Sequence, residues 1–195
     1  MPFLVDPLVP DGSLSDHPQP TLEAEGLTIR PWAQRDIGAL VEAFADPAIQ
    51  RWHARSLDER EAAEWIADHA ARWKEETGVD WAVVEGDAVV GRVGFRDLVL
   101  FDGLGEAAYW TMPSARGRGI AGRALRRASA WIIDDVGFHR LESHHAVENA
   151  ASCRVAEQAG YRLESTARQA VLHPDGWHDM HIHVRIAGDP VLGVV

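Results

Sequence analysis

Residues 116–122 have the residue types and the spacing of an anion-binding loop. The glycines at positions 117, 119 and 122 permit backbone conformations and close approaches that a Cβ atom would obstruct. Between a strand and a helix, such a loop directs successive backbone N–H groups and the positive end of the helix at one point. Arg116 and Arg118 add positive charge and forked donors that suit phosphate groups. The loop therefore predicts a diphosphate site.

The charge distribution supports an anionic partner at this loop. Five arginines, at positions 116, 118, 123, 126 and 127, lie in a stretch of twelve residues that contains no acid. The chain as a whole carries a formal net charge of −11, which argues against a nucleic-acid partner and favours a cationic or amine-bearing substrate. We expect no nucleic acid as a partner.

Two other phosphate-binding loops can be compared with this segment. A P-loop ends in Gly-Lys-Ser/Thr, whereas this segment continues Ala121-Gly122-Arg123. A dinucleotide loop has the glycine spacing seen here, and Asp134, Asp135 or Glu142 could be offered as its acidic residue. Such a loop opens early in a βαβ unit, but three strand-like segments, at 80–85, 88–95 and 105–112, directly precede this one. A nucleotide-dependent enzyme that uses this loop for NAD or ATP is therefore an alternative hypothesis.

Length and composition indicate a single domain in a reducing compartment. The chain has 195 residues, enough for one substantial core, and Cys153 is its one cysteine, so no internal disulfide can form. No apolar run approaches the roughly 18 residues of a membrane span, and residues 1–10 lack the layout of a secretory signal. We expect a cytoplasmic protein with a flexible or surface-wrapping arm (1–20), one domain (21–188) and a tail (189–195). A homodimer is compatible with the sequence.

Hydrophobic periodicity predicts the element order β-α-α-β-β-β-α-β-α-β-β. The strands are predicted at 27–32, 80–85, 88–95, 105–112, 140–147, 161–172 and 177–186, and the helices at 36–46, 57–76, 121–136 and 149–159. Ser56 is the predicted N-cap of the second helix, and Trp65 and Trp73 are predicted core residues. This order indicates a mixed α/β fold, with a central twisted, mostly antiparallel sheet and helices on both faces.

Several motifs in this order resemble the GNAT superfamily of N-acetyltransferases. Its cofactor motif, Arg/Gln-x-x-Gly-x-Gly/Ala, is matched by residues 116–121, and Tyr109-Trp110-Thr111-Met112-Pro113 is similar to the strand and proline before that motif. Asn149-Ala150-Ala151-Ser152, followed by Gly160-Tyr161, is similar to the family's Asn-x-x-Ser helix. Leu27-Thr28-Ile29-Arg30-Pro31 and Gly176-Trp177-His178-Asp179 resemble the RimJ/RimL branch, which acetylates ribosomal-protein N-termini. The resemblance covers about residues 22–187.

The resemblance implies a role for each matching residue. Main-chain groups of Trp110, Thr111 and Met112 would pair with the pantetheine arm of coenzyme A, and Asn149 would contact the cofactor nearby. Ser152 would lie beside the thioester sulfur and act as a hydrogen-bond donor or an acid toward the departing thiolate. Both Asn149 and Ser152 also have an ordinary structural role at a helix N-terminus. The diphosphate would be cradled by Arg116, Gly117, Arg118, Gly119, Ile120, Ala121 and Gly122.

The implied reaction is acyl transfer from an acyl-CoA to a primary amine of a protein N-terminus or a small molecule. Acetyl-CoA is the expected donor. The amine would attack the thioester carbonyl directly, while a strand amide polarises that carbonyl. A proton acceptor is needed, but Val171 stands where RimL-type proteins carry a glutamate. We select Glu142 as the proton acceptor instead. The alternative is a non-catalytic acyl-CoA sensor or scaffold.

The remaining chemistry-bearing residues have less specific patterns. His181-x-His183 lies on one strand face, and strand-borne histidine pairs can bind zinc. No cysteine cluster accompanies them and amine acylation needs no metal, so we expect no metal site. Cys153 is interpreted as a small packing residue. Trp52 and His53 lie between the first two predicted helices, where Trp52 could line the acceptor pocket.

Overall fold

A computed structural model describes residues 4–190, which form one eight-stranded sheet in the order β1-β2-β3-β4-β5-β6-β8-β7. The strands are β1 Leu22–Ala24, β2 Leu27–Pro31, β3 Gly78–Glu85, β4 Ala88–Val99, β5 Leu104–Thr111, β6 Arg140–Ala146, β7 Arg162–His173 and β8 Gly176–Ile186. Strands β5 and β6 pair in parallel, and the other neighbours pair antiparallel. The predicted mixed, mostly antiparallel sheet is confirmed.

Five α-helices accompany the sheet: α1 Ile37–Ala45, α2 Pro47–His53, α3 Glu59–Lys74, α4 Ile120–Ala130 and α5 Ala150–Gln158. The end of α4 continues as a π-helical stretch, Trp131–Val136, so the predicted helix end at residue 136 agrees with the structure. No helix within residues 4–190 is long and apolar enough to cross a membrane.

Helix α3 begins with a capping box at Asp58, so the predicted N-cap at Ser56 was wrong by two residues. The Asp58 side chain accepts a hydrogen bond from the Glu61 amide at 2.7 Å, and the Glu61 carboxylate accepts one from the Asp58 amide at 2.8 Å. This reciprocal arrangement satisfies two backbone donors at once. Ser56, the predicted N-cap, lies before the helix.

Helix α2 and strand β1 were missed, and for α2 a signal was present. Asp46 caps this helix by accepting from the amides of Ala48 and Ile49, and Pro47 occupies its first turn. An aspartate followed by proline is typical of a helix start. The helix is only seven residues long, so its periodicity is weak. Its last turn carries Trp52 and His53.

The two faces of β3 are covered by different helices. Asp80 and Trp81 are adjacent and therefore point to opposite faces. Asp80 lies 3.8 Å from the His69 ring nitrogen of α3, whereas Trp81 packs edge-on against Trp131, just after α4, at a centroid distance of 5.4 Å. Helices on both faces are thus confirmed. Trp65 and Trp73 are buried in the core, as predicted.

Part of the N-terminal segment packs into the domain. Val9 and Leu14 are fully buried, and the Glu76 carboxylate accepts the amides of Gly12, Leu14 and Ser15 at 2.8, 2.7 and 3.1 Å. Because a carboxylate that accepts several amides anchors a loop firmly, these residues add to the core. The boundaries at residues 20 and 188 stay predictions, and residues 1–3 and 191–195 lie outside the described residues.

Candidate active site

A gap between β5 and β6 is the centre of the site. The two parallel strands pair at Leu104↔Arg140, Gly105↔Leu141 and Glu106↔Glu142, and beyond these pairs they separate. On the other side of β5, the Met112 amide donates to the Val90 carbonyl at 2.9 Å. Main-chain groups alternate between the two edges of a strand. The groups of Ala107, Tyr109 and Thr111 consequently face the gap.

Three strand residues, Trp110, Thr111 and Met112, were predicted to pair with pantetheine. Because of this alternation, only some of them have main-chain groups that face the gap. Thr111 presents its main chain to the gap. The Met112 amide is already bonded to Val90 and its side chain is buried, so this amide is not available to the gap. The contacts of both residues with pantetheine stay predictions. The main chain of Trp110 faces β4, but its indole lines the adjoining cavity, where Nε1 has no hydrogen-bond partner among the described residues.

A cavity of about 570 Å³ runs from the gap to the start of α4, and we call it the donor cavity. Its walls are α2, the loop of residues 116–122 and α5. Most of the predicted cofactor residues line it: Trp110, Thr111, Arg116, Gly117, Gly119, Ile120, Ala121, Gly122, Asn149 and Ser152. Neither Met112 nor Arg118 is among its lining residues.

The glycines of the loop serve two different purposes. Gly117 and Gly119 have φ values of +75° and +69°, and a Cβ atom on either would meet nothing within 4 Å. Their requirement is thus conformational. At Gly122, a Cβ atom would lie 2.9 Å from Oε1 of Gln158, so this glycine allows α4 and α5 to approach closely.

The loop ends as a helix N-terminus that can bind an anion. Gly119 caps α4 without a side chain, and the amides of Ile120, Ala121 and Gly122 occupy the first turn. Amides in a first helical turn have no partner within the helix and carry its positive dipole end. Together with the free strand edge at the gap, these groups fit the diphosphate and pantetheine portions of coenzyme A.

The predicted arginines are held in surface ion pairs. An Arg116 Nη atom lies 2.5 Å from Asp46, and Arg118 lies 2.6 Å from Glu85. Exposed pairs of this kind contribute about 0–1 kcal/mol, so an incoming phosphate can replace the carboxylate. Arg154 on α5 also lines the donor cavity. No spacing in the sequence linked Arg154 to the loop, since only the packing of α5 beside α4 brings them together.

A second cavity of about 660 Å³ lies on the face of the sheet that α3 covers, and we call it the acceptor cavity. It is bounded by α3, β4, β5 and the end of β7. The two cavities have five lining residues in common: Trp52, His53, Tyr109, Asn149 and Ser152. Trp52 lines this second cavity, and its contact with an acceptor stays a prediction. We call these five residues the junction.

Hydrogen bonds hold the start of α5 against the gap. The Tyr109 hydroxyl donates to the Ser152 carbonyl at 3.1 Å and lies 3.2 Å from the Ser143 hydroxyl. Burial raises the pKa of Tyr109, so its phenol stays protonated at neutral pH. The Asn149 side-chain oxygen accepts the Ser152 amide at 3.1 Å. Asn149 is therefore a helix cap as well as a lining residue of both cavities.

His53 is the one histidine among the junction residues. Burial, reinforced by the positive charges of Arg92 and Arg96, lowers the pKa of His53 from 6.5 to about 4. The ring is consequently neutral at pH 7 and can accept a proton. Sequence reasoning gave His53 no role, because the helix that carries it was not predicted.

Comparison with known proteins establishes the family. Residues 26–162 match the model of the acetyltransferase (GNAT) domain. The chain belongs to the GNAT acetyltransferase family. It is 23% identical to the uncharacterized N-acetyltransferase YoaA of Bacillus subtilis, over 84% of this chain and 95% of that protein. It is 26% identical to the ribosomal-protein-serine acetyltransferase of Escherichia coli, over 53% of this chain and 58% of that one.

A solved structure confirms the GNAT fold. The ribosomal L7/L12 alpha-N-protein acetyltransferase RimL, in complex with coenzyme A, superimposes with a TM-score of 0.81 at 17% identity, over 88% of this chain and 100% of that one. The chain is thus a GNAT enzyme that catalyses acyl-CoA-dependent N-acetylation. The comparisons contain no support for the non-catalytic alternative.

The structure does not bring Glu142 to the active site of this GNAT enzyme. Glu142 lines neither cavity, and its carboxylate binds Arg140 Nε at 2.8 Å and His144 Nε2 at 2.7 Å. Burial would raise the pKa of Glu142, but these two hydrogen bonds outweigh it, and the pKa is lowered. Val171 does line the acceptor cavity, with an apolar side chain where RimL-type sequences carry glutamate.

Proposed function

We propose that this enzyme transfers the acetyl group of acetyl-CoA to the α-amine of a polypeptide N-terminus. The observation that carries the proposal is the junction, where a cavity suited to coenzyme A meets a second cavity beside the gap in the sheet. A donor and an acceptor that enter from these two sides would meet at Tyr109, Asn149 and Ser152. Such positioning converts an encounter of two substrates into an effectively intramolecular step.

The acceptor cavity has the chemistry of a peptide site. Its charges are largely paired with one another: Arg92 with Asp80, at 2.5 Å, and Arg96 with Glu106. Walls with internally paired charges suit a neutral main chain better than a highly charged small molecule. Trp52 adds an aromatic surface. The named activities of the Escherichia coli relative and of RimL, both on ribosomal proteins, point the same way.

The donor side supplies charge stabilisation through main-chain groups. We propose that the amides of the α4 first turn bind the diphosphate, with Arg116 and Arg154 nearby, and that the gap-facing main chain of Tyr109 and Thr111 pairs with pantetheine. A strand amide in a water-excluded gap is a suitable donor to the thioester carbonyl oxygen as negative charge develops there. Asn149 retains its side-chain NH₂ group for a contact with the cofactor.

The proton movements involve His53 and Ser152. We propose that the neutral acceptor amine attacks the thioester carbon, so that a C–N bond forms and the C–S bond breaks. The amine proton passes to neutral His53, directly or through water, and the thiolate takes a proton from the Ser152 hydroxyl, which solvent then replenishes. A histidine with a pKa near 4 is a weak base, so it takes the proton only after attack has turned the amine into the acidic ammonium of the tetrahedral intermediate.

An acceptor panel tests this function. Purified enzyme and acetyl-CoA are incubated with peptides that have a free α-amine, with the same peptides carrying a blocked α-amine and a free lysine, and with polyamines or single amino acids. Thiol release and the mass gain of one acetyl group are measured. We expect turnover with free-α-amine peptides. Turnover restricted to small amines would contradict the peptide acceptor, and cofactor binding without thiol release over the whole panel would contradict the transfer.

A further inference from the structure

Four potential metal ligands from three separate elements converge beside the junction. They are His145 on β6, His181 and His183 on β8, and Cys153 in the first turn of α5. Each offers one ligand atom, and the four atoms lie within 4.8 Å of one another. The register of the sheet brings the strand residues together, because His145 lies directly opposite His181, and Ser143 opposite His183.

Two of the three histidines in this cluster are buried, His181 is half-buried, and each has one buried ring nitrogen without a partner among the described residues. His145 is 5% exposed and His183 is fully buried. Nε2 of His145, Nδ1 of His181 and Nδ1 of His183 have no hydrogen-bond partner among the described residues. A buried polar atom without a partner costs about 1–3 kcal/mol, so the free nitrogens of His145 and His181 favour a bound group. His183 offers that group Nε2 rather than Nδ1, because Nε2 is the ring atom beside Cys153.

The orientation of His145 is that of a metal ligand. Its Nδ1 lies 2.9 Å from the Ala146 carbonyl oxygen. A carbonyl only accepts, so the ring proton resides on Nδ1, and Nε2 presents a lone pair to the cluster. Metal-bound histidines commonly donate their second ring N–H to a carbonyl in this way, which fixes the tautomer and the ring plane.

One distance matches tetrahedral coordination directly. The Cys153 sulfur lies 3.6 Å from Nε2 of His183. Zinc bonds of about 2.3 Å to sulfur and about 2.0–2.1 Å to nitrogen, at a tetrahedral angle, separate the two ligand atoms by about 3.5–3.6 Å. The Glu157 carboxylate, 3.7 Å from the same sulfur, is an additional oxygen beside the cluster.

We propose that His145, His181, His183 and Cys153 bind one transition-metal ion, with Zn²⁺ as the cation that best fits three imidazoles and one thiolate. Four protein ligands close the coordination sphere, which is typical of a structural site. The ion would tie α5 to β6 and β8, and so hold Asn149 and Ser152 at the gap. The sequence expectation of no metal considered the strand histidines without Cys153, which only the fold brings to them.

A second histidine cluster is a weaker candidate and a useful control. His173, Asp175 and His178 also lie within reach of one ion. However, both ring nitrogens of His178 are already engaged, with Glu148 at 3.0 Å and with Asp175 at 2.8 Å. This cluster contains no sulfur, so its ion would give a different spectrum.

The test is a titration of the full chain, stripped with chelator and kept reduced, with Co²⁺ and then Zn²⁺ alone. We expect one Co²⁺ per chain, the visible bands of tetrahedral cobalt and a near-ultraviolet thiolate-to-cobalt charge-transfer band. Zn²⁺ should displace the cobalt and raise the thermal midpoint. Because Cys153 is the single cysteine, its reaction with a thiol reagent should slow at least tenfold in the zinc-bound protein.

Matched variants assign the ligands. Cys153→Ser should abolish the charge-transfer band, and His145→Asn should weaken Co²⁺ binding at least tenfold. Two control variants should bind Co²⁺ normally. His144→Asn changes the residue before His145, which lies on the other face of the same strand, and His178→Asn changes the second cluster. Thermal midpoints of the metal-free variants establish that each is folded, and Cys153→Ser alters only a partly exposed side chain. Absence of Co²⁺ binding, binding unchanged in Cys153→Ser, or binding lost in His178→Asn would each overturn the proposal.

Discussion

The donor and acceptor cavities differ in which part of the chain forms them. The donor cavity consists mainly of two continuous segments, 109–122 and 149–158, and it offers chiefly main-chain groups. The acceptor cavity collects side chains from six of the strands, four of the helices and the loop after α2. A main-chain site depends on backbone geometry, which glycine spacing encodes locally. A side-chain site depends on how distant elements pack.

The two cavities also differ in how firmly their charged groups are held. Arg116 and Arg118 at the donor loop form exposed ion pairs that a phosphate can replace. In the acceptor cavity, Arg92 and Asp80 are both buried, and Asp80 also accepts a hydrogen bond from the Trp32 indole at 3.0 Å. The donor side can adapt to its ligand, whereas the acceptor wall is preformed. The following variants separate the contributions of the two sides.

Gly119→Glu should have the largest effect on activity, because it blocks the binding of coenzyme A. The substitution changes the donor cavity and leaves the acceptor cavity intact. A glutamate at φ +69° is strained, and its carboxylate would occupy the cavity at the proposed diphosphate site. We expect no measurable binding of coenzyme A by calorimetry, a loss of at least 100-fold in affinity. Gly188→Glu is the matched control, since Gly188 has φ +90° and open space around it but lies outside both cavities. Equal loss in both variants would indicate a general effect of charge or strain.

His53→Gln should have the next largest effect and should act on the transfer step. Removal of a general base lowers kcat by about 100-fold. Affinity for coenzyme A should change by less than about threefold, because the diphosphate loop is intact. His69→Gln is the control: His69 lines the acceptor cavity but not the donor cavity, so it should alter mainly the KM of the peptide. A normal kcat in His53→Gln would remove His53 from the mechanism.

The contrast between the cavities explains what the sequence could predict. Most of the element order, the sheet type and the loop were predictable because periodicity, Gly117 and Gly119 are local signals, whereas the short elements β1 and α2 were missed. His53 was not predictable, since its short helix α2 has little periodicity and its position depends on packing against β5. Glu142 was selected by its position on a strand, but its ion pairs with Arg140 and His144 form only when the strand and its neighbours are in place.

Ser152→Ala should have a smaller effect on the transfer step. Solvent can still protonate the departing thiolate, so we expect kcat to fall about tenfold, with affinity for coenzyme A nearly unchanged. The Tyr109 hydroxyl bonds to the main-chain carbonyl of Ser152, and the substitution leaves that contact intact. Ser143→Ala, which removes the other partner of Tyr109, distinguishes the two roles. An equal decrease in both variants would indicate that Tyr109 positioning, rather than the Ser152 hydroxyl, is responsible.

The pH dependence of stability offers a further measure of His53. Its pKa is about 4 in the folded chain against 6.5 ordinarily, so the unfolded state binds the proton first as pH falls. Wild type should therefore lose stability from this residue between pH 6.5 and about 4, with no further loss below. Urea unfolding over that range should show a shallower decline for His53→Gln. The other histidines are common to both proteins, so parallel curves would contradict the lowered pKa.

Glu142→Gln should have the smallest effect, and it addresses the sequence hypothesis directly. Glu142 lines neither cavity and is paired with Arg140 and His144, so we expect kcat and KM to stay within about twofold of wild type. Loss of these partly exposed pairs should cost about 0–1 kcal/mol of unfolding free energy. A fall in kcat comparable to that of His53→Gln would restore Glu142 as the base. A normal rate would exclude Glu142 and leave His53, at the junction of the two cavities, as the proposed proton acceptor.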